Sequence, residues 1–304
     1  MTTAVDTRTA EALSPTEWQS AAAAHAARAD ELTSLWREWH GQGRKHPIED
    51  FLFTYYPFRP AVLRRWSPGV GVALLDAATD ERADWPFFTV DPETGALTVD
   101  AAAFLAQHGR AVQGIEAIIA GALRRPAHFG CFGMHEWAMQ YRIPPEHRRH
   151  GSLPLRLGQE GTDRVVESHR IQCSHFDAFR FFTPEAVGRN VLQPSRDTQA
   201  AMEQPGCLHA GMDLYKWAMK LGPLVPGELR LDCFELARDI RWLDMRASPY
   251  DTRPLGAEPV AVETAAGKAE YLEAQEGFSQ RAQALRVRLL DVIQTARRLA
   301  EQAG

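Results

Sequence analysis

Proton-active side chains collect in the middle of the chain. In ESHRIQCSHFDAFRFF, Glu167, His169, His175, Asp177 and Arg180 stand among Ile171, Phe176, Phe179, Phe181 and Phe182. Charged groups in so apolar a setting are seldom buried unless they are paired or bound to something, which makes this segment the strongest functional signal. Further on, His209 and Asp213 are four residues apart, with Lys216 and Lys220 continuing the stripe, so a helix would put all of them on one face. A carboxylate and an imidazole at that spacing can share a metal ion, or the carboxylate can orient the imidazole for proton transfer. An ordinary helix-surface ion pair has the same spacing.

Two other groups invite the same question. His135 and Glu136 are adjacent in MHEWAMQYR and would point about 100° apart on a helix, so both serve one centre only if other elements complete it. Asp232, Glu235 and Asp239 follow one another at spacings of three and four. Such a row is solvated, paired with Arg238 and Arg241, or bound to a cation. Cys131, Cys173 and Cys207 each lie near a histidine, but no C-x-x-C pair occurs. With Cys233 they read as reduced core thiols rather than zinc ligands. The sequence contains no H-E-x-x-H, G-x-S-x-G, Walker loop or G-x-G-x-x-G motif.

These residues must be positioned by a mainly helical chain. Its 304 residues suffice for one or two cores. A formal charge of -5 gives no overall attraction to phosphate, so nucleic-acid binding would need a local basic groove. No apolar run approaches the ~20 residues of a membrane span, and a cytoplasmic location without membrane contact is expected. Residues 1–13 read as a disordered tail, and 14–304 as a single mostly helical domain.

Ser14-Pro15-Thr16-Glu17 caps a helix expected to reach about His40. Short helices follow in PIEDFLFTYY and AVLRRW. VGVALL, WPFFTV and ALTV predict a small antiparallel sheet within 69–98, with PETG as a hairpin turn. Asp100 caps a helix ending near Arg124, and CFGMHEWAMQYR forms another. RVVESHRIQCSHFDAFRFF fits either a helix joined to a strand or two short helices. PGCLHAGMDLYKWAMKL and PGELRLDCFELARDIRWLDMR read as core helices, EPVAVET as a short strand, and about 265–302 as a charged amphipathic helix. The fold class is therefore mainly α with a small antiparallel β insert (α+β). No internal repeat supports a HEAT solenoid, and no glycine fingerprint supports a Rossmann fold. In WSPGVGVALLD a short helix precedes the glycine turn, but a β-branched run follows it, so only half of a helix-hairpin-helix is present.

The phrases HPIEDFLFTYYPFRPAVLRRW, CFGMHEWAMQYR, ESHRIQCSHFDAFRFF, EQPGCLHAGMDLYKWAMKL and DIRWLDMRASPYD resemble a family of bacterial proteins of about 300 residues carried under the name 3-methyladenine DNA glycosylase, from about His46 to about Leu285. The resemblance implies DNA as partner and hydrolysis of the N-glycosidic bond of an alkylated purine, in base-excision DNA repair, without a required cofactor. Such chemistry holds a flipped base between aromatic faces and needs an acid/base group near the sugar. Trp137, Tyr141, Tyr215 and Trp217 could stack on the base, with Asp177 or Asp213 as the carboxylate. His209, His175 and Glu136 complete the catalytic candidates, while Arg124-Arg125 and His147-Arg148-Arg149-His150 could meet phosphate. An alkylated purine is already a good leaving group, however, and does not call for so many histidines beside carboxylates. The alternative is a helical enzyme for a small-molecule substrate with one or two divalent metal ions, held by His135, His169, His175, His209, Asp213 and Glu235. A non-enzymatic protein with an aromatic ligand pocket is the third reading.

Overall fold

A computed structural model describes residues 11–148 and 152–303. Among them are thirteen α-helices and four three-residue strands. The helices are α1 (Pro15–Leu32), α2 (Ser34–Gly41), α3 (Phe51–Thr54), α4 (Pro60–Leu63), α5 (Ala101–Arg124), α6 (Met134–Ala138) and α7 (Gly158–Ser168). Then come α8 (Phe176–Phe179), α9 (Pro184–Val187), α10 (Gln199–Met202), α11 (Leu208–Lys220), α12 (Gly227–Arg246) and α13 (Ala265–Ala303). The expected mainly α architecture with a small β insert is the one observed. No helix among the described residues is long and apolar enough to cross a membrane.

The long helices form the frame. α11 lies along α12, α13 packs on both, and the far half of the frame is α5 against α13. Leu214, Ala218, Leu229, Phe234, Ala237, Ile240, Leu289 and Ile293 are all in the buried core that joins them. Gly211 lets α11 approach its neighbours: a Cβ there would meet Ile240 Cδ1 at 3.1 Å. Asp100 caps α5 by accepting from the Ala103 N–H, and Ser14 and Glu17 form the capping box of α1.

Five local expectations change. The sheet is mixed, in the order β1-β2-β4-β3, because β1 (Glu11–Leu13) pairs parallel to β2 (Val72–Leu74). Only β2 with β4 (Leu97–Val99), and β4 with β3 (Phe88–Val90), are antiparallel. The end of the expected tail is thus ordered by a partner some sixty residues away; residues 1–10 lie outside the described residues. The first helix is interrupted at Thr33, whose hydroxyl donates to Ala29 O, a bond that competes with the helical ladder. In CFGMHEWAMQYR only α6 is helical, because Phe132, Gly133 and Arg142 have φ of 46°, 65° and 52°. EPVAVET makes no strand: Val260 and Val262 are buried, and Val260 N–H donates to Arg246 O at the end of α12. The ambiguous segment resolves into α7, an isolated parallel bridge from Ile171 to Asn190, and the single turn α8. The Gly-Val-Gly turn enters β2, as expected for a chain that is not a helix-hairpin-helix.

Candidate functional site

Two adjoining groups of buried polar side chains lie at the N-terminal half of α11. The first joins His135 and Glu136 from α6, His209 from α11, and Arg241 and Asp244 from α12. Apart from the partly buried His209, each is at most 4% exposed. Arg241 and Asp244 share a face of α12 because they are three residues apart. Arg241 Nη1 donates to Glu136 Oε1 at 2.6 Å and to Asp244 Oδ2 at 2.9 Å. Glu136 Oε1 in turn lies 3.4 Å from His135 Nε2. This turns His135 Nδ1 toward Asp244 Oδ1, 3.7 Å away. Neither of those two buried atoms has a hydrogen-bond partner. His209 Nε2 is 3.8 Å from Asp244 Oδ2, and the His135 and His209 rings meet edge-on with centroids 4.0 Å apart.

In the second group the carboxylate of Asp213 is the hub. Its Oδ1 accepts from Tyr56 OH at 2.9 Å, and its Oδ2 accepts from Lys216 Nζ at 2.5 Å and faces His175 Nε2 at 3.2 Å. Glu203 Oε1 is 3.5 Å from the same His175 nitrogen. Lys216 also donates to Asp177 Oδ2 at 3.2 Å, and Arg180 Nε lies 3.2 Å from Asp177 Oδ1. His175 precedes α8 and its Nδ1 accepts the Ala178 N–H at 3.2 Å. A nitrogen that accepts an N–H carries no proton, so in the neutral ring the proton sits on Nε2 and points at Asp213. The His175 and His209 ring centroids are 5.6 Å apart, which brings the two groups side by side.

Electrostatics separates their roles. Burial, with His135 and His175 nearby, pushes His209 well below the usual imidazole range, so its ring is neutral and keeps a lone pair. Burial lifts Asp244 to about 6 against the opposing pull of His135 and Arg241. Burial alone would raise Asp213 too, but Lys216 and His175 hold it below the ordinary carboxylate range. Glu203 is raised by burial, which outweighs the opposing pull of His175 and Lys216. Lys216 stays charged because Asp213 and Asp177 outweigh its burial. Both His135, Asp244 and His209, and His175, Glu203 and Asp213, place one ligand atom each within 4.8 Å of one another and could hold a metal ion.

The i, i+4 pair singled out in the sequence therefore divides between the groups, His209 to the first and Asp213 to the second. Two expected ligands are elsewhere. His169 Nδ1 bonds to Val165 O at 2.7 Å, one turn back on α7. Glu235 pairs with Arg28 at 2.6 Å on the outer side of α12, and Asp232 and Asp239 are paired with Arg288 and Arg281. The four aromatics proposed for stacking are buried in the core. Trp137 Nε1 donates to Ala247 O, Tyr141 OH donates to Glu167, Tyr215 meets Tyr56 edge-on, and Trp217 lies under Lys216. Arg125 donates to Glu203 O, and Arg149 and His150 lie outside the described residues. The cysteines are free, and burial pushes Cys131 up to about 11, which keeps it a thiol.

Sequence reasoning passed over Glu203, Tyr56, and Asp244 and Arg241 as a unit. The Arg241–Asp244 spacing was legible as a helical pair; nothing local marks Glu203, which a turn after α10 carries inward. Searches against family models, curated proteins and solved structures find no match to this chain.

Proposed function

We propose that the chain is a metal-dependent enzyme acting on a small-molecule substrate, with a divalent ion held by His135, His209 and Asp244. The observation that carries this reading is the pair of buried, unpartnered atoms His135 Nδ1 and Asp244 Oδ1 at 3.7 Å, with His209 beside them. That separation is too long for a hydrogen bond. It suits two atoms that each bind one ion at about 2.0–2.2 Å, which puts ligands roughly 3–4 Å apart. Two imidazoles and one carboxylate are a donor set for zinc or a non-haem iron.

The surrounding residues have the positions such a centre requires. Glu136 beside His135 Nε2 keeps the lone pair on Nδ1, and Arg241 fixes both Glu136 and Asp244. An ion bound there would supply a Lewis acid and a water of lowered pKa. The second group is read as proton-handling rather than metal-binding. Its His175 presents an N–H to Asp213, and Lys216 already occupies the carboxylate with a positive charge. His175 holds its N–H on Asp213 Oδ2, and the proton-active unit is the Asp213 carboxylate with the Tyr56 hydroxyl and the Lys216 ammonium on its two oxygens.

Metal analysis of the purified full chain after reconstitution with zinc or ferrous iron tests the reading. One equivalent is expected, lost in His209→Ala and in Asp244→Asn and retained in His169→Ala. Retention of the metal in His209→Ala would overturn it. Release of 3-methyladenine from alkylated duplex DNA by metal-free protein, abolished in Asp213→Asn, would put the glycosylase reading in its place.

A further inference from the structure

We propose a second ligand site, for a small organic anion with an aromatic body, in a cavity of about 330 Å³ between the approach to β3, α5 and the C-terminal end of α11. Its apolar walls are Trp85, Phe87, Phe88 and Phe104. They are preassembled: Phe87 meets Phe104 edge-on with centroids 5.1 Å apart, and Trp85 meets Phe88 at 6.0 Å. Phe87 has φ 66°, an uncommon conformation for a bulky residue, and Phe104 and His108 of α5 pack edge-on against it. An aromatic guest fits such walls by stacking or edge contact.

The polar side of the cavity has only one sign. Arg65, Lys220 and Arg230 line it, together with His108 and Ser67, and no Asp or Glu does. Arg230 is the anchor. It is 6% exposed and donates to two neutral carbonyls, Arg65 O at 3.1 Å and Gly222 O at 2.9 Å. Its Nε is buried without a hydrogen-bond partner, and Glu228, the carboxylate that acts on it from a distance, accepts the Trp66 indole N–H instead. Burial lowers Arg230 to about 10, so it remains cationic at neutral pH. A buried guanidinium is ordinarily paired. Here the missing partner is an anion from solution, and a carboxylate matches the planar fork. Arg65 lies over the Trp85 ring at 5.3 Å and reaches the mouth, where Lys220 is exposed.

The site is separate from the metal centre. Lys220 and His209 are at opposite ends of α11, roughly 16 Å apart along the helix at 1.5 Å per residue. Its occupancy therefore tests independently of the proposed function.

Calorimetry and tryptophan fluorescence on the full chain should be run with 2-naphthoate, the neutral 2-naphthalenemethanol and inorganic phosphate. 2-Naphthoate should bind at least about tenfold more tightly than either control, as expected for a charge-assisted hydrogen bond added to apolar contact. Arg230→Met should abolish that binding. Because a buried substitution can disturb folding, the exposed double variant Arg65→Ala/Lys220→Ala, with unchanged circular dichroism, should weaken it by about tenfold. Metal content should be unchanged in every variant. No binding of 2-naphthoate, equal binding of the alcohol or of phosphate, or an unaffected double variant would each overturn the proposal.

Discussion

Arg241→Met asks whether the buried charges of the first group act as a compensated set. The guanidinium lies 2.6 Å from Glu136 and 2.9 Å from Asp244, and its carbon is 4.1 Å from the Phe51 ring centroid. Arg241, Glu136 and Asp244 are 1%, 2% and 0% exposed, so water cannot replace the lost cation without opening the core. Two charge pairs with centres roughly 4 Å apart contribute about 4 kcal/mol each at an effective dielectric near 20. Removing the arginine also removes its own desolvation penalty of several kcal/mol, which leaves a net loss of about 3–5 kcal/mol. Methionine keeps an apolar stem against Phe51, so little of the loss comes from a cavity. Urea denaturation of chelator-treated protein at neutral pH measures it; the melting temperature should fall by roughly 6–20 °C, at about 2–4 °C per kcal/mol for a chain of this size. Glu136→Gln added to Arg241→Met removes one orphaned charge and should restore about 1 kcal/mol or more. A loss below about 1 kcal/mol, or a double variant no more stable than Arg241→Met, would refute the compensated-charge argument.

Glu235→Ala should leave the metal content unchanged and cost no more than about 1 kcal/mol by denaturation, because its Arg28 pair is partly exposed; loss of metal would return Glu235 to the site. Burial depresses His46, whose Nδ1 accepts the Ile48 and Glu49 N–H groups, so its stabilising contribution is full above about pH 6.5 and is lost as pH falls through its folded-state value. His46→Asn keeps an acceptor for those amides but cannot titrate, and melts between about pH 7 and about pH 5 should show a shallower acid loss. His25, depressed by the same cause, supplies part of the slope that remains. Gly69 and Gly71 share a left-handed φ of 86° and 85°, but a Cβ on Gly69 would lie 2.7 Å from Pro226 Cγ, whereas one on Gly71 meets Thr295 Cγ2 at an ordinary 3.5 Å. Gly69→Ala should therefore be the more destabilising by about 1–3 kcal/mol, and equal melting temperatures would refute the clash.

Local pattern was enough for the long helices. Apolar spacing of 3.6 residues, with Asp100, Ser14 and the prolines before α11 and α12 as start signals, marks the start of α1 and both ends of α5, α11, α12 and α13 to within a few residues. These signals act between near neighbours, which is why a sequence carries them. β1 was not legible, because its order comes from pairing with Val72–Leu74 across the chain. Nor was the absence of a strand in EPVAVET, where a β-like alternation only seats Val260 and Val262 in the core.

The candidate site divides in the same way. Composition and spacing identified His135, His175, His209 and Asp213 as groups that needed partners, since buried ionisable residues must be compensated. Which partner each one has depends on how α6, α8, α11 and α12 pack. That packing sends His209 toward Asp244 and Asp213 toward His175, and it turns Glu235, equally well spaced in sequence, outward to Arg28. The sequence by itself determined the helices and the supply of proton-active side chains, because both depend on residues a few positions apart. Only the tertiary structure decided which of those side chains share a centre, because electrostatic partnership is a matter of distances in space between elements far apart in the chain.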